Sequence, residues 1–289
     1  LAERLRNVVN LRNGLVDYCR LIAILGIVWY HAQAPGYLVA YAGLPYFLVL
    51  LALPSQSGIS KRARRLLVPF AIWSGIYAFV FTLIAAKTGL APFAWWRSYM
   101  FASGPSIHLW FLPFAFMVSC VSSILRGTHA VALPLLASCL LAVLGETPGF
   151  PWYQWSFALI PVLAGFAFLQ NRGLGLLSLV GSILVLEIFR PSPDNLVIAG
   201  GAAVAFLAMS AKLPATAASD WCARLSFQVY LCQILVILKF KLMGLEGYSL
   251  ALASIAGSLV LAVGIETVLS RLRPRPAPGP VQETVRATS

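Results

Sequence analysis

Ten apolar runs, each closed by glycine, proline or charge and each about long enough to cross a bilayer, follow one another through this chain. A transmembrane helix needs roughly 20 apolar residues for a hydrocarbon core of about 30 Å. The runs fall at 16–36, 38–54, 66–87, 107–125, 130–145, 154–170, 174–189, 195–211, 224–243 and 247–269. Lipid offers no water to satisfy backbone N–H and C=O groups, so runs of this kind must be helical. The expected fold is all-α, a polytopic membrane protein of about ten transmembrane helices with residues 1–270 as one embedded unit.

Composition excludes the soluble alternative. Sixty per cent of the 289 residues are hydrophobic and 10% are charged, whereas soluble domains run near half apolar and a quarter charged. The net charge of +12 raises the question of a nucleic-acid partner, and its placement answers against one. With the N-terminus inside, the cytoplasmic segments carry sixteen of the 21 Lys and Arg and the outer segments five. Short cytoplasmic loops accumulate these residues, so the charge records topology, with both termini cytoplasmic in the inner membrane and the bilayer as the main partner. The five cysteines (Cys19, Cys120, Cys139, Cys222 and Cys232) sit mostly inside apolar runs at no metal-ligand spacing. They read as small buried hydrophobes, and no metal is expected.

Three segments need separate treatment. Residues 88–106, with Pro92, Trp95, Trp96, Tyr99 and Phe101, are too broken to span and carry the aromatics that favour an interface. The stretch from Arg271 to Ser289 is proline-rich and polar, and is expected to be a disordered cytoplasmic tail. The arginines of residues 1–12, an apolar run and Ala32-Gln33-Ala34 imitate a cleaved secretory signal. The run exceeds a usual signal core, so it is read as a retained span.

The first span holds the chemistry. Asp17, Arg20 and His31 are its ionisable groups of interest, and at about 100° per residue Arg20 and His31 return to within roughly 20° of each other. Asp17 lies about 60° from Arg20 and 40° from His31, so the three share one face. At about 1.5 Å per residue, Arg20 stands near the cytoplasmic start and His31 about 16 Å beyond it. Ionisable groups at such depth face a protein interior or a water-filled cavity, and mark functional candidates. A snorkelling arginine and a hydrogen-bonded structural histidine are the plainer alternatives.

Two further constellations follow. In KRARRLLVPF, Arg62 and Arg65 stand three apart at the entrance of the third span, a spacing that sets two guanidiniums on one helical face for phosphate oxygens. An ordinary positive flank explains the same residues. In HLWFLP, His108 and Trp110 open the fourth span from the outer side as substrate-side candidates, or as an interfacial anchor. Glu187 has Arg190 one turn on, and Glu266 has Arg271 five residues on as a simple pairing partner near the inner surface.

In this order, DYCRLIAILGIVWYHA, KRARRLLVPF, HLWFLP and LSFQVYLCQ (ending at Gln233) resemble the membrane acyltransferase family 3, integral-membrane enzymes that O-acylate sugars of bacterial surface polysaccharides. The resemblance implies that His31 matches the catalytic histidine, Arg20 the first-helix arginine, and Arg62 and Arg65 the RxxR pair. It further implies an acyl coenzyme A donor, usually acetyl, arriving from the cytosol with its phosphates on Arg62, Arg65 and Arg20. The implied acceptor is a hydroxyl of a glycan or lipid-linked sugar. Asp17 completes the catalytic set by orienting Arg20 or balancing its charge. The chain departs from the family pattern at Leu51-Ala52, where Ser-Gly is common, in the lack of a carboxylate after WFLP, and at Gln233, where histidine is common. These departures point toward a sugar-acetylase-like or smaller-substrate branch. The competing function is a transporter or exporter of a small anion or glycan precursor, with the arginines as anion path and His31 as proton relay.

Overall fold

The computed structural model describes residues 13–54, 57–88, 100–125, 128–144 and 152–272. Most of the 88–106 segment and all of the tail beyond Leu272 lie outside the described residues. In chain order the helices are α1 (Gly14–His31), α2 (Tyr37–Ala40), α3 (Gly43–Leu50), α4 (Ile59–Thr88), α5 (Met100–Ser103), α6 (Phe111–Leu125), α7 (Leu133–Leu144), α8 (Trp152–Gln170), α9 (Arg172–Phe189), α10 (Pro193–Ser210), α11 (Ala217–Leu242) and α12 (Gly247–Leu272). Short 3-10 turns at Ile107–Trp110 and Thr128–Val131 lead into α6 and α7.

Seven of these helices (α1, α4 and α8 to α12) are long and apolar enough to cross a membrane. The remaining three expected spans coincide with shorter apolar stretches, Tyr37–Leu50, Ile107–Ser122 and Leu133–Leu144. The second expected span is therefore two short helices, not one rod. The outward surface of α3 is modest, because it is walled in by α1, α8 and α10. Large apolar side chains stand exposed on the outside of the bundle, among them Ile22, Leu196, Val143 and Val260, as lipid contact requires.

Lipid tails are as apolar as leucine, so helices in a membrane associate through close packing and small residues. A Cβ added at Gly43 would meet the Ala23 carbonyl oxygen at 2.2 Å, and one at Gly26 would meet that of Ala40 at 2.8 Å. Across α3, a Cβ at Gly201 would meet the Ala42 carbonyl oxygen at 2.2 Å. Glycines on α1, α3 and α10 thus let backbone touch backbone on both sides of the broken second span. The chain reverses between α1 and α2 through two positive-φ residues, Gln33 at 54° and Gly36 at 80°.

Both ends of α1 are fixed by identifiable contacts. At its start Asn13 caps Leu15, while its Nδ2 donates to the carbonyls of Ala208 at 2.7 Å and Ala211. Gly14 N donates to Leu213 O at 2.8 Å, beside an isolated bridge between Asn13 and Pro214. The start of α1, the end of α10 and the start of α11 therefore share one face of the bundle. His31 and the start of α10 lie toward the other, since α1 and α10 each have 18 residues and so are both about 27 Å long.

Glu266, five residues before Arg271 in sequence, accepts from Arg224 on α11 at 2.9 Å. Residues five apart on a helix are separated by about 140° of rotation, whereas α11 lies directly alongside α12.

Adjacent glycines on α10 test the close approach. Gly201→Ala should destabilise the folded protein by about 1–3 kcal/mol, the cost of forcing extra volume into a packed contact. Gly200→Ala, whose added Cβ meets nothing within 4 Å, should be tolerated; reversible unfolding in mixed micelles measures both.

Candidate functional site

The buried face of α1 runs through Ile24, Ile27 and Val28 and ends at His31, which faces a chamber of about 260 Å³. The chamber gathers His31, Tyr30 and Ile27 from α1 and Tyr41 and Leu44 from the α2–α3 segment. His108, Trp110 and Phe111 come from the entry to α6, Gln154 from α8 and Tyr230 from α11. Residues of three widely separated motifs, joined by Tyr41, Leu44 and Gln154 from outside any motif, thus meet around one imidazole. The His31 ring packs edge-on against Tyr30 at 5.2 Å, and Tyr30 stacks on Tyr41 at 4.1 Å.

His108 is held more tightly. It is 4% exposed, its Nδ1 shares a hydrogen bond with Ser106 Oγ at 2.9 Å, and its carbonyl accepts from the Tyr230 hydroxyl. Its ring sits edge-on to Tyr77 at 5.1 Å and to Tyr230 at 5.4 Å. Tyr77 is in turn anchored by donating to the Leu231 carbonyl at 2.9 Å. Aromatic rings prefer such edge-to-face contacts, each stabilising beyond simple burial. His108 is therefore fixed in an aromatic frame of Tyr77 and Tyr230.

The arginines occupy a different level. Arg20 donates to Asp17 at 2.7 Å, with the Asp17 side chain 2% exposed and that of Arg20 31%. This is an i, i+3 pair on the face expected from helical periodicity. Asp17 stands fourteen residues before His31, about 21 Å along the axis, so it supports Arg20 and does not reach the imidazole. Arg62 is partly buried and donates to the Ser119 carbonyl on α6, while Arg65 is exposed. Ser119 is eleven residues beyond His108, and Arg20 eleven before His31. At about 1.5 Å per residue both separations are about 16 Å. Two independent helices therefore set the same axial distance between the arginine level and the histidine level. None of the three arginines lines the chamber itself.

The structure brings His31, His108 and Trp110 together, and keeps Asp17 with Arg20 as a pair at depth. Tyr30, Tyr41, Gln154 and Tyr230 are additional chamber residues that sequence reasoning passed over. Tyr230 had a signal, since it lies inside LSFQVYLCQ, and Tyr30 adjoins His31. Tyr41 and Gln154 arrive only through tertiary packing. Gln233, the departure from the family pattern, is fully buried on α11 outside the chamber, and neither atom of its amide has a hydrogen-bond partner among the described residues.

A family model described as an acyltransferase domain matches residues 13–271 of the chain. No curated protein and no solved structure matches.

The Tyr230 hydroxyl ties α11 to the His108 turn. Tyr230→Phe removes that donor while the His108 carbonyl keeps the Phe111 N–H, and should cost about 0.5–1.5 kcal/mol of stability, readable by reversible unfolding in mixed micelles.

Proposed function

The chain belongs to the membrane acyltransferase family 3, a multi-pass membrane acyltransferase, and from that membership we propose that it moves an acyl group, acetyl above all, from coenzyme A to a hydroxyl of a glycan or glycolipid. The observation that carries the reading is the two-level arrangement: a histidine chamber about 16 Å along the bundle from a set of arginines.

Coenzyme A carries several phosphate charges on a long, slender arm. Arg62 on the first turn of α4 and exposed Arg65 one turn further on offer the planar forks that phosphate oxygens favour, with Arg20 held by Asp17. These residues take the nucleotide end on the cytoplasmic face of the inner membrane, and the thioester extends toward His31. Neutral His31 accepts the proton of the acceptor hydroxyl as its oxygen attacks the thioester carbonyl carbon. The carbon–oxygen bond forms, the carbon–sulfur bond breaks, and the imidazolium returns its proton to the departing thiolate. The products are an ester and free coenzyme A, with the histidine restored. No metal takes part. His108 and Trp110, fixed in the aromatic frame, shape the acceptor side of the chamber.

His31→Ala should abolish transfer of radiolabelled acetyl from acetyl coenzyme A to an extracted envelope glycan fraction; undiminished transfer overturns the base assignment. Arg62→Lys combined with Arg65→Lys should raise the KM for acetyl coenzyme A by about tenfold or more, since hydrogen bonds to charged groups carry about 1.5–3 kcal/mol and an ammonium does not reproduce the fork. An unchanged KM would leave the pair as a topology signal alone.

A further inference from the structure

We propose that a second cavity, between α8 and the start of α10, is a subsite for a neighbouring ring of an uncharged oligosaccharide acceptor, held there while another of its rings presents a hydroxyl to His31. The proposal rests on the acyl-transfer reading above and adds the residues that select the acceptor.

The cavity has a volume of about 110 Å³ and is lined by Tyr153, Ser156, Phe157, Arg190, Asp194 and Asn195, among others. Its polar groups come from two elements and converge. The Tyr153 hydroxyl donates to the Asp194 carboxylate. Asn195 is buried and donates through Nδ2 to the Arg190 carbonyl at 3.0 Å, fixing the turn that carries the guanidinium. Arg190 spends one donor on the Leu141 carbonyl at 3.3 Å, out of the five that a guanidinium offers.

The charges decide the ligand class. One cation and one anion face the cavity, so its net charge is close to zero, and a phosphate or carboxylate ligand would meet Asp194 as an opponent. A carboxylate and a guanidinium are each planar and two-pronged, and match the adjacent hydroxyls of a sugar ring. Phe157 supplies the apolar face that such a ring presents its C–H groups to. The lining is thus the mixture of apolar wall and few placed polar groups that fixes the orientation of a small ligand.

Position decides the role. Phe157 stacks on Tyr41 at 5.5 Å, and Tyr41 stacks on Tyr30 at 4.1 Å. Phe157 faces the second cavity, whereas Tyr41 and Tyr30 face the His31 chamber, so a partition of one stacked pair separates the two. Consecutive residues of α8 also look into different compartments, Tyr153 into the second cavity and Gln154 into the chamber. The Gln154 Oε1 is buried and has no hydrogen-bond partner among the described residues, leaving an acceptor for a hydroxyl on the chamber side. An acceptor of two or more rings spans both compartments.

The test uses the full chain in lipid nanodiscs with methyl β-lactoside, methyl β-maltoside and methyl β-cellobioside as probes, and saturation-transfer NMR as the readout of binding. At least one probe should bind the unaltered protein, about tenfold more weakly in Asp194→Asn and Tyr153→Phe, and not at all in Ser156→Leu, which fills the cavity. The first two variants keep side-chain size, so a folded protein is expected for each. Binding that ignores all three substitutions, or no binding of any probe, overturns the subsite. Substitution-sensitive binding by a protein that transfers no acetyl supports the subsite and counts against the acyl-transfer reading, which keeps the two failures apart.

Discussion

The close approach of α1, α3 and α10 is the constraint from which the rest of the site follows. Backbone oxygens of Ala23 and Ala42 lie where a side chain on Gly43 or Gly201 would have to be. Only glycine allows that distance, and only that distance brings the short α2–α3 segment deep enough for Tyr41 to lie flat against Tyr30. Without that stack the chamber would lose one of its walls, and the boundary with the neighbouring cavity would go with it. Packing in a membrane depends on dispersion and shape in place of the hydrophobic effect, so a few such contacts govern a great deal.

The separation of charge from reaction centre follows from a second constraint, the cost of placing ionised groups in hydrocarbon. Arg20 meets it by pairing with buried Asp17, and Arg62, near the start of α4, by donating to a backbone carbonyl of α6. Both solutions work near a helix end and neither suits the middle of the bundle. The histidine chamber, built from tyrosines, a tryptophan and imidazoles, needs no permanent charge. The division between an arginine level and a histidine level is thus what the bilayer imposes: permanent charge stays near helix ends, and the buried chamber is built from groups that need none.

Much of this was legible in the sequence, for reasons that can be named. Helical periodicity placed Asp17 and Arg20 on one face, and their ion pair lies there. The order of apolar runs located every long helix. Sequence pattern failed where a segment's geometry depends on its neighbours. Residues 38–54 are apolar enough to read as one span, with Gly43 and Pro45 as the local weak point; the break near Tyr41 is held by enclosure of α3 among α1, α8 and α10. The pairing of Glu266 with Arg224 is likewise a lateral contact that separation along the chain conceals. Tyr41 and Gln154 carry no motif, and their place in the chamber exists only once the helices are assembled.

The cap at Asn13 bears on how the protein is made. Its side chain bonds the carbonyl of Ala208, 195 positions later in the chain, so the start of α1 is completed by a helix synthesised long after it. Insertion of α1 precedes its final registration, and the chamber at its far end is set only after α10 has entered the membrane. A chain interrupted before that point holds His31 without Tyr230 packed into the walls around it.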